Sequence, residues 1–311
     1  MTTKPKKRRE LGLDKEALFA YLGYQPHPGQ SEVHRSIAKR RVVACGTRFG
    51  KSTLGVFECV AALLHPRDRA MGWLIAPQYT LCNRIFLRVV ETVQSRMPHR
   101  IASLDSRGRS IKVVNLSGGV SELHAKSADR PVGLLGEALD FCVLDESAHL
   151  RDDVWDEHVS PRLIDRNGWS LMLSTPNGPG LFYDEFLRGR SDPDYACFQY
   201  PTSANPLISQ ELIEAERKRL DPNLFRANYL AEFVGVPVLA CPTCHGPTPN
   251  TRTFVIMIDG EDELGTCPAC GRLTDDEGEC LVPLRKDGTE GEPRIVRIIP
   301  DRGATEPPEL P

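Results

Sequence analysis

Val42-Val43-Ala44-Cys45-Gly46-Thr47-Arg48-Phe49-Gly50-Lys51-Ser52-Thr53 decides how the rest of this 311-residue chain is read. A short apolar run, a loop closed by Gly50-Lys51-Ser52 and the start of a helix is the layout of a phosphate-binding loop. Gly50 lets the backbone curl so that successive N–H groups face one anion, Lys51 brings a flexible point charge to the outer phosphates, and the Ser52 hydroxyl can ligand Mg2+. A helix opening near Lys51 adds the positive end of its dipole. The usual first glycine, five residues before Gly50, is Cys45 here, and Gly46 stands one place later. Cys45, Gly46, Thr47, Arg48, Phe49, Gly50, Lys51, Ser52 and Thr53 are the candidate nucleotide-binding residues.

Downstream, Leu54, Phe57, Val60, Ala61 and Leu64 repeat at helical spacing. Met71 to Ala76 reads as an apolar strand ended by Pro77, and Leu81 to Met97 as a helix. Ile111 to Leu116 and Val120 to Ala125 alternate as strands around Ser117-Gly118-Gly119, a hairpin pattern. Upstream, Asp14 to Tyr24 predicts a short helix, and Pro26 to Gln30 a turn. Strands alternating with helices predict an α/β fold, a P-loop three-layer sandwich with a mainly parallel central sheet.

Phe141-Cys142-Val143-Leu144-Asp145-Glu146 is the second anchor. A wholly apolar strand suits a doubly covered central position, and two carboxylates at its C-terminal end lie at the ligand edge of an open α/β sheet. An isolated Asp-Glu pair reads as an exposed strand end. Beside a phosphate loop, Asp145 would hold Mg2+ through water and Glu146 would polarise the water that attacks the γ-phosphate. A further strand, Trp169 to Ser174, leads into Thr175-Pro176-Asn177-Gly178, where a hydroxyl could sense the γ-phosphate; alone it is a turn signal. Gln30 likewise reads alone as a turn residue, although its amide could meet adenine's edge.

The charge is uneven. Residues 239–311 hold 7 Lys and Arg against 14 Asp and Glu; with totals of 39 and 42, residues 1–238 keep 32 against 28. Residues 1–15 form a basic leader with no apolar periodicity, expected to be disordered. No apolar run reaches membrane-spanning length and the N-terminus is not that of a signal peptide, so a cytoplasmic setting without membrane contact is expected. Cys45, Cys59, Cys82, Cys142 and Cys197 are expected to be reduced and largely buried.

These pieces, in this order, resemble the ATPase domain of the large terminase subunit, the motor that packages DNA into tailed-phage and herpesvirus-type capsids. The resemblance is carried by Gln30, Thr47-Arg48-Phe49-Gly50-Lys51-Ser52, Ala76-Pro77, Ser127-Ala128-Asp129 with Gly136, Val143 to Leu150, Ser174 to Gly178, Asn205-Pro206 and Tyr229 to Phe233. It implies that Gln30 contacts adenine, that Lys51 and Ser52 meet phosphates and metal, and that Asp145 and Glu146 serve metal and attacking water. Arg48 would reach the γ-phosphate from within the subunit, and Thr175 would couple hydrolysis to movement. It further implies ATP and Mg2+, double-stranded DNA, a portal protein, a terminase small subunit and a homo-oligomeric ring, in host cytoplasm and transiently at the procapsid portal. Leu134-Leu135 stand where the family often has Arg before the glycine at Gly136, leaving Arg130, Arg162 and Arg166 as sources of an arginine acting across a ring interface.

The expected boundaries are the leader 1–15, the ATPase domain 16–238, a zinc-ribbon module 239–285 and a largely disordered tail 286–311. Large terminases usually continue into an RNase H-like nuclease; residues 239–311 carry no strand-borne aspartate array, so the expectation is no endonuclease here and a separate nuclease subunit. Instead, Cys241-Pro242-Thr243-Cys244 and Cys267-Pro268-Ala269-Cys270 form two CxxC knuckles 22 residues apart, the spacing of a Zn2+ site. Two other readings compete: a helicase or remodelling ATPase, which would need a second motor domain, and a non-catalytic zinc-ribbon adaptor with a degenerate nucleotide site.

Overall fold

In the computed structural model, which describes residues 12–235 except 130, 135, 190 and 191 and only short strand segments beyond, Val42 to Cys45 belong to a strand of an eight-stranded sheet and Lys51 opens the helix that follows. Its strands are β1 (Arg40–Cys45), β2 (Arg69–Ala76), β3 (Ile101–Asp105), β4 (Ser110–Val114), β5 (Val120–Ser127), β6 (Phe141–Asp145), β7 (Trp169–Ser174) and β8 (Tyr195–Tyr200). Their order is β3-β4-β5-β2-β6-β7-β1-β8. From β5 to β8 every pairing is parallel, and β4 and β3 add an antiparallel edge. The expected hairpin is the β4–β5 pair, turning through Gly118 at φ 87°.

The central strands are apolar because both of their faces are covered. Val43, Cys45, Leu74, Ala76, Val143, Leu171 and Leu173 point into one core; the residues between them, Val42, Ala44, Trp73, Ile75, Cys142, Leu144 and Met172, point into a second. This is the period-two alternation of a pleated strand with both sides buried. The first core is closed by α1 (Lys15–Leu22), α2 (Pro28–Arg35), α3 (Lys51–Leu64) and α4 (Tyr79–Arg96). The second is closed by Trp155 of a π-helical turn, by Leu163 of α5 (Ser160–Ile164) and by Leu181 and Phe182 of α6 (Leu181–Arg188). Two further helices, α7 (Gln210–Arg219) and α8 (Pro222–Leu230), follow β8. Cys45, Cys59, Cys82 and Cys142 are buried free thiols and Cys197 is half-buried; burial pushes the Cys45 and Cys82 thiols up to about 12, which keeps them protonated and inert.

The segment read as a turn at Pro26 to Gln30 instead opens α2. Pro28 occupies the first helical turn, where its missing N–H costs nothing, and the Gln30 Oε1 accepts a hydrogen bond from the His27 N–H (3.2 Å). The chain divides into two compact units, residues 1–234 and 235–311. The second contains short antiparallel pairs such as Val238–Ala240 with Pro247–Pro249. Cys241, Cys244, Cys267 and Cys270 lie outside the described residues, as does Arg130.

Glu58 of α3 is fully buried, and side chains from two other helices and from β1 meet on it. Lys15 Nζ donates to Oε1 (2.7 Å), Arg41 Nη2 to Oε2 (2.7 Å) and His34 Nδ1 to Oε1 (2.6 Å). Burial by itself would raise the Glu58 pKa, but the Arg41 and Lys15 charges and the His34 hydrogen bond hold it well below 4.5. Burial lowers the His34 pKa despite Glu58, so a neutral imidazole makes this contact and also meets the Tyr24 hydroxyl (3.2 Å). Removing the carboxylate leaves Arg41 buried without its counter-charge, so Glu58→Ala is expected to cost about 3–5 kcal/mol in urea unfolding. Because the folded pKa is depressed, the carboxylate's contribution is complete above pH 4.5 and declines as pH falls through the lowered value. A Glu58→Ala protein should lack that acid-side loss.

Candidate active site

The loop between β1 and α3 is held from outside. The Gly46 N–H donates to the Tyr200 carbonyl (2.9 Å) and the Thr47 N–H to the Asn228 carbonyl (2.6 Å). The Thr202 hydroxyl donates to the Thr47 carbonyl (2.7 Å), and the Asn205 amide to the Arg48 carbonyl (2.7 Å). Under the loop, the buried Phe49 ring stacks on Tyr200 (centroids 5.0 Å, 6°), and His27 Nε2 donates to the Phe49 carbonyl (2.9 Å). Gly50 adopts φ 105°, which only glycine takes without strain, and Gln30 Nε2 donates to its carbonyl (3.2 Å). Arg48 adopts φ 64° and its side chain is exposed.

The displaced glycine has a steric reason. A Cβ on Gly46 would lie 2.8 Å from the Thr202 nitrogen and 2.9 Å from the Tyr229 oxygen, both main-chain atoms, and 2.5 Å from the Thr202 hydroxyl. Gly46 is therefore required by the chain pressed against the loop. Cys45 before it ends β1 as a buried strand residue.

Parallel pairing brings the ends of β6, β7 and β1 side by side at one sheet edge. Lys51, the first residue of α3, donates through Nζ to the Thr175 hydroxyl just beyond β7 (2.7 Å). Asp145 ends β6 with 4% exposure, and its Oδ1 is buried with no hydrogen-bond partner. Burial raises its pKa to about 7, the Glu146 charge adds to this, and Lys51 opposes it. Glu146 turns out of the strand at φ 52°, and its Oε2 accepts from the Ser174 hydroxyl at 3.5 Å. An orphaned carboxylate oxygen and the Ser52 hydroxyl are hard oxygen donors that fit Mg2+. Among the described residues no group of three or more His, Cys, Asp or Glu could hold a metal ion; Mg2+ sites built from few protein ligands rely on water and phosphate. Thr53 is tied to α4 by Arg88 (3.0 Å). Arg162 is engaged with the Leu134 carbonyl (2.7 Å) and Arg166 with Asp140 (2.9 Å).

His27, Thr202 and Asn228 are contacts that sequence reasoning missed. Asn228 acts through a main-chain carbonyl, which no residue type announces. His27 directly precedes Pro28, a helix-start signal that would have placed it near a helix terminus.

The fold and this edge define a mixed α/β protein built on a central eight-stranded sheet. No family model matches the chain. It is 38% identical to the terminase large subunit of Thermus phage G20c over 70% of this chain and 51% of that one. The corresponding subunit of Escherichia phage T5 is 26% identical over 72% and 53%. Among solved structures, the large terminase ATPase domain of Thermus phage P74-26 superimposes with a TM-score of 0.65 at 36% identity, covering 73% of this chain and 100% of that one. The chain belongs to the large terminase family, and the region it shares with P74-26 is the ATPase domain. It spans about half the length of the curated relatives it matches.

Gly46→Ala is expected to force the Thr202 and Tyr229 backbone away from the loop. The expected cost is about 1–3 kcal/mol in urea unfolding, with weakened nucleotide binding; an unchanged midpoint would mean that the approach is looser than 2.8 Å.

Proposed function

We propose that this chain is an ATP-hydrolysing subunit of a viral DNA-packaging terminase, driving double-stranded DNA into a procapsid. The observation that carries the reading is the single sheet edge where Lys51 meets Thr175 beside the orphaned Asp145 oxygen and Glu146, in a chain of the large terminase family.

The chemistry is transfer of the γ-phosphoryl group to water, in which the protein positions the reactants and stabilises charge. Lys51 and the loop N–H groups bind the outer phosphates, helped by the α3 N-terminus. Asp145 and Ser52 would hold Mg2+, which when bound neutralises charge developing on the phosphates. Glu146 orients the attacking water and takes its proton. Arg48 adds positive charge at the γ-phosphate. Gln30 meets adenine; because its amide also holds Gly50 and His27, base recognition is joined to loop geometry. Thr175 exchanges Lys51 for phosphate contact and so passes the nucleotide state to the loop after β7.

As a motor, the subunit works in a homo-oligomeric ring against a portal protein, with a small subunit to select DNA, in the host cytoplasm. Family membership supports these partners. Among the described residues no helix is long and apolar enough to cross a membrane. The two CxxC pairs are assigned to one structural Zn2+, a role their spacing supports.

Glu146→Gln should keep ATP binding while lowering kcat about 100- to 10,000-fold, and Lys51→Ala should lose both; unimpaired hydrolysis by the Glu146 variant overturns the assignment. Metal analysis of purified protein should find about one zinc per chain, lost in the Cys267→Ser/Cys270→Ser variant. A folded wild type free of metal would refute the ribbon.

A further inference from the structure

Arg48 sits on a backbone that must be held. Its φ of 64° is in the left-handed region, unfavourable for a residue with a Cβ. The carbonyls on either side of the Arg48 Cα are both tied to the segment after β8: Thr47 O to the Thr202 hydroxyl and Arg48 O to the Asn205 amide, each at 2.7 Å. Because a trans peptide points its C=O and N–H in opposite directions, each anchor also fixes the N–H of the next residue. The Thr202 bond thus aims the Arg48 N–H away from the anchoring segment, and the Asn205 bond fixes the Phe49 N–H, which closes a turn onto Gly46 O (3.3 Å).

The orientation of Asn205 is determined. Its Oδ1 accepts from the Leu207 N–H (3.0 Å), leaving Nδ2 as the atom that faces Arg48. Its own N–H donates to the Thr202 carbonyl, and its carbonyl accepts from the Ile208 N–H (both 3.1 Å), so the anchor is itself anchored. Thr202 is 1% exposed.

We propose that Asn205 is a positioning residue for Arg48: its amide holds the left-handed backbone from which the guanidinium projects, and it contributes to turnover only through that arginine. The inference rests on the reading of Arg48 as a cation acting on the γ-phosphate.

Steady-state ATPase assays on the full chain test it as a double-mutant cycle. Asn205→Asp keeps the shape and the Leu207 contact but sets a carboxylate oxygen against the Arg48 carbonyl; Asn205→Ala removes the donor and serves if the aspartate variant does not fold. Each is expected to lower kcat about 10-fold or more while the KM for ATP changes less than about 2-fold. In the Arg48→Ala background the same substitution should change kcat less than about 2-fold, because residues acting as a unit are not additive. Multiplying losses, or an Asn205 variant with normal kcat, overturn the proposal while leaving Arg48 catalytic. Normal turnover by Arg48→Ala alone overturns the reading beneath it.

Discussion

The middle of a strand covered on both faces has no place for an unpaired charge. Val42 to Cys45, Phe141 to Leu144 and Leu171 to Leu173 send alternate side chains into two separate cores, so their polar chemistry is confined to the residues that emerge at the C-terminal edge. Parallel pairing then gathers Gly46 to Lys51, Asp145-Glu146 and Ser174-Thr175, distant in sequence, along one line. The site follows from the burial of the strands that carry it.

Burial also sets the electrostatics of that line. Asp145 lies in an environment that disfavours its charge, with one oxygen lacking any partner. Glu58 has the opposite surroundings, with Arg41, Lys15 and His34 more than offsetting its desolvation. The contrast separates a carboxylate whose charge the fold stabilises from one whose charge it disfavours.

Legibility in the sequence follows the same physics. Doubly covered strands are continuous apolar runs, so β1, β2, β6 and β7 could be read directly, and helices α3 and α4 show a clear 3.6-residue pattern. The edge strand β8, Tyr-Ala-Cys-Phe-Gln-Tyr, is mostly half-buried and shows neither pattern; α2 hides behind Pro28-Gly29, which imitates a turn. At the site, Lys51, Asp145, Glu146 and Thr175 announce themselves by side-chain chemistry. The anchoring of the loop was not legible, because Tyr200, Asn228 and Tyr229 act there through main-chain atoms. Even the misplaced glycine had its explanation far along the chain, at Thr202.

That distance governs when the site can come into being. The carbonyls of Thr47 and Arg48 find their donors 155 and 157 residues later in the chain, and the Thr47 N–H waits for Asn228. During synthesis, β1 and α3 leave the ribosome long before the strap that shapes the loop between them. Closing so large a loop carries an entropic cost that only later contacts repay. A nascent chain that has not yet reached Asn228 lacks the partners that hold this loop, so the set of contacts around it is completed late, with α8.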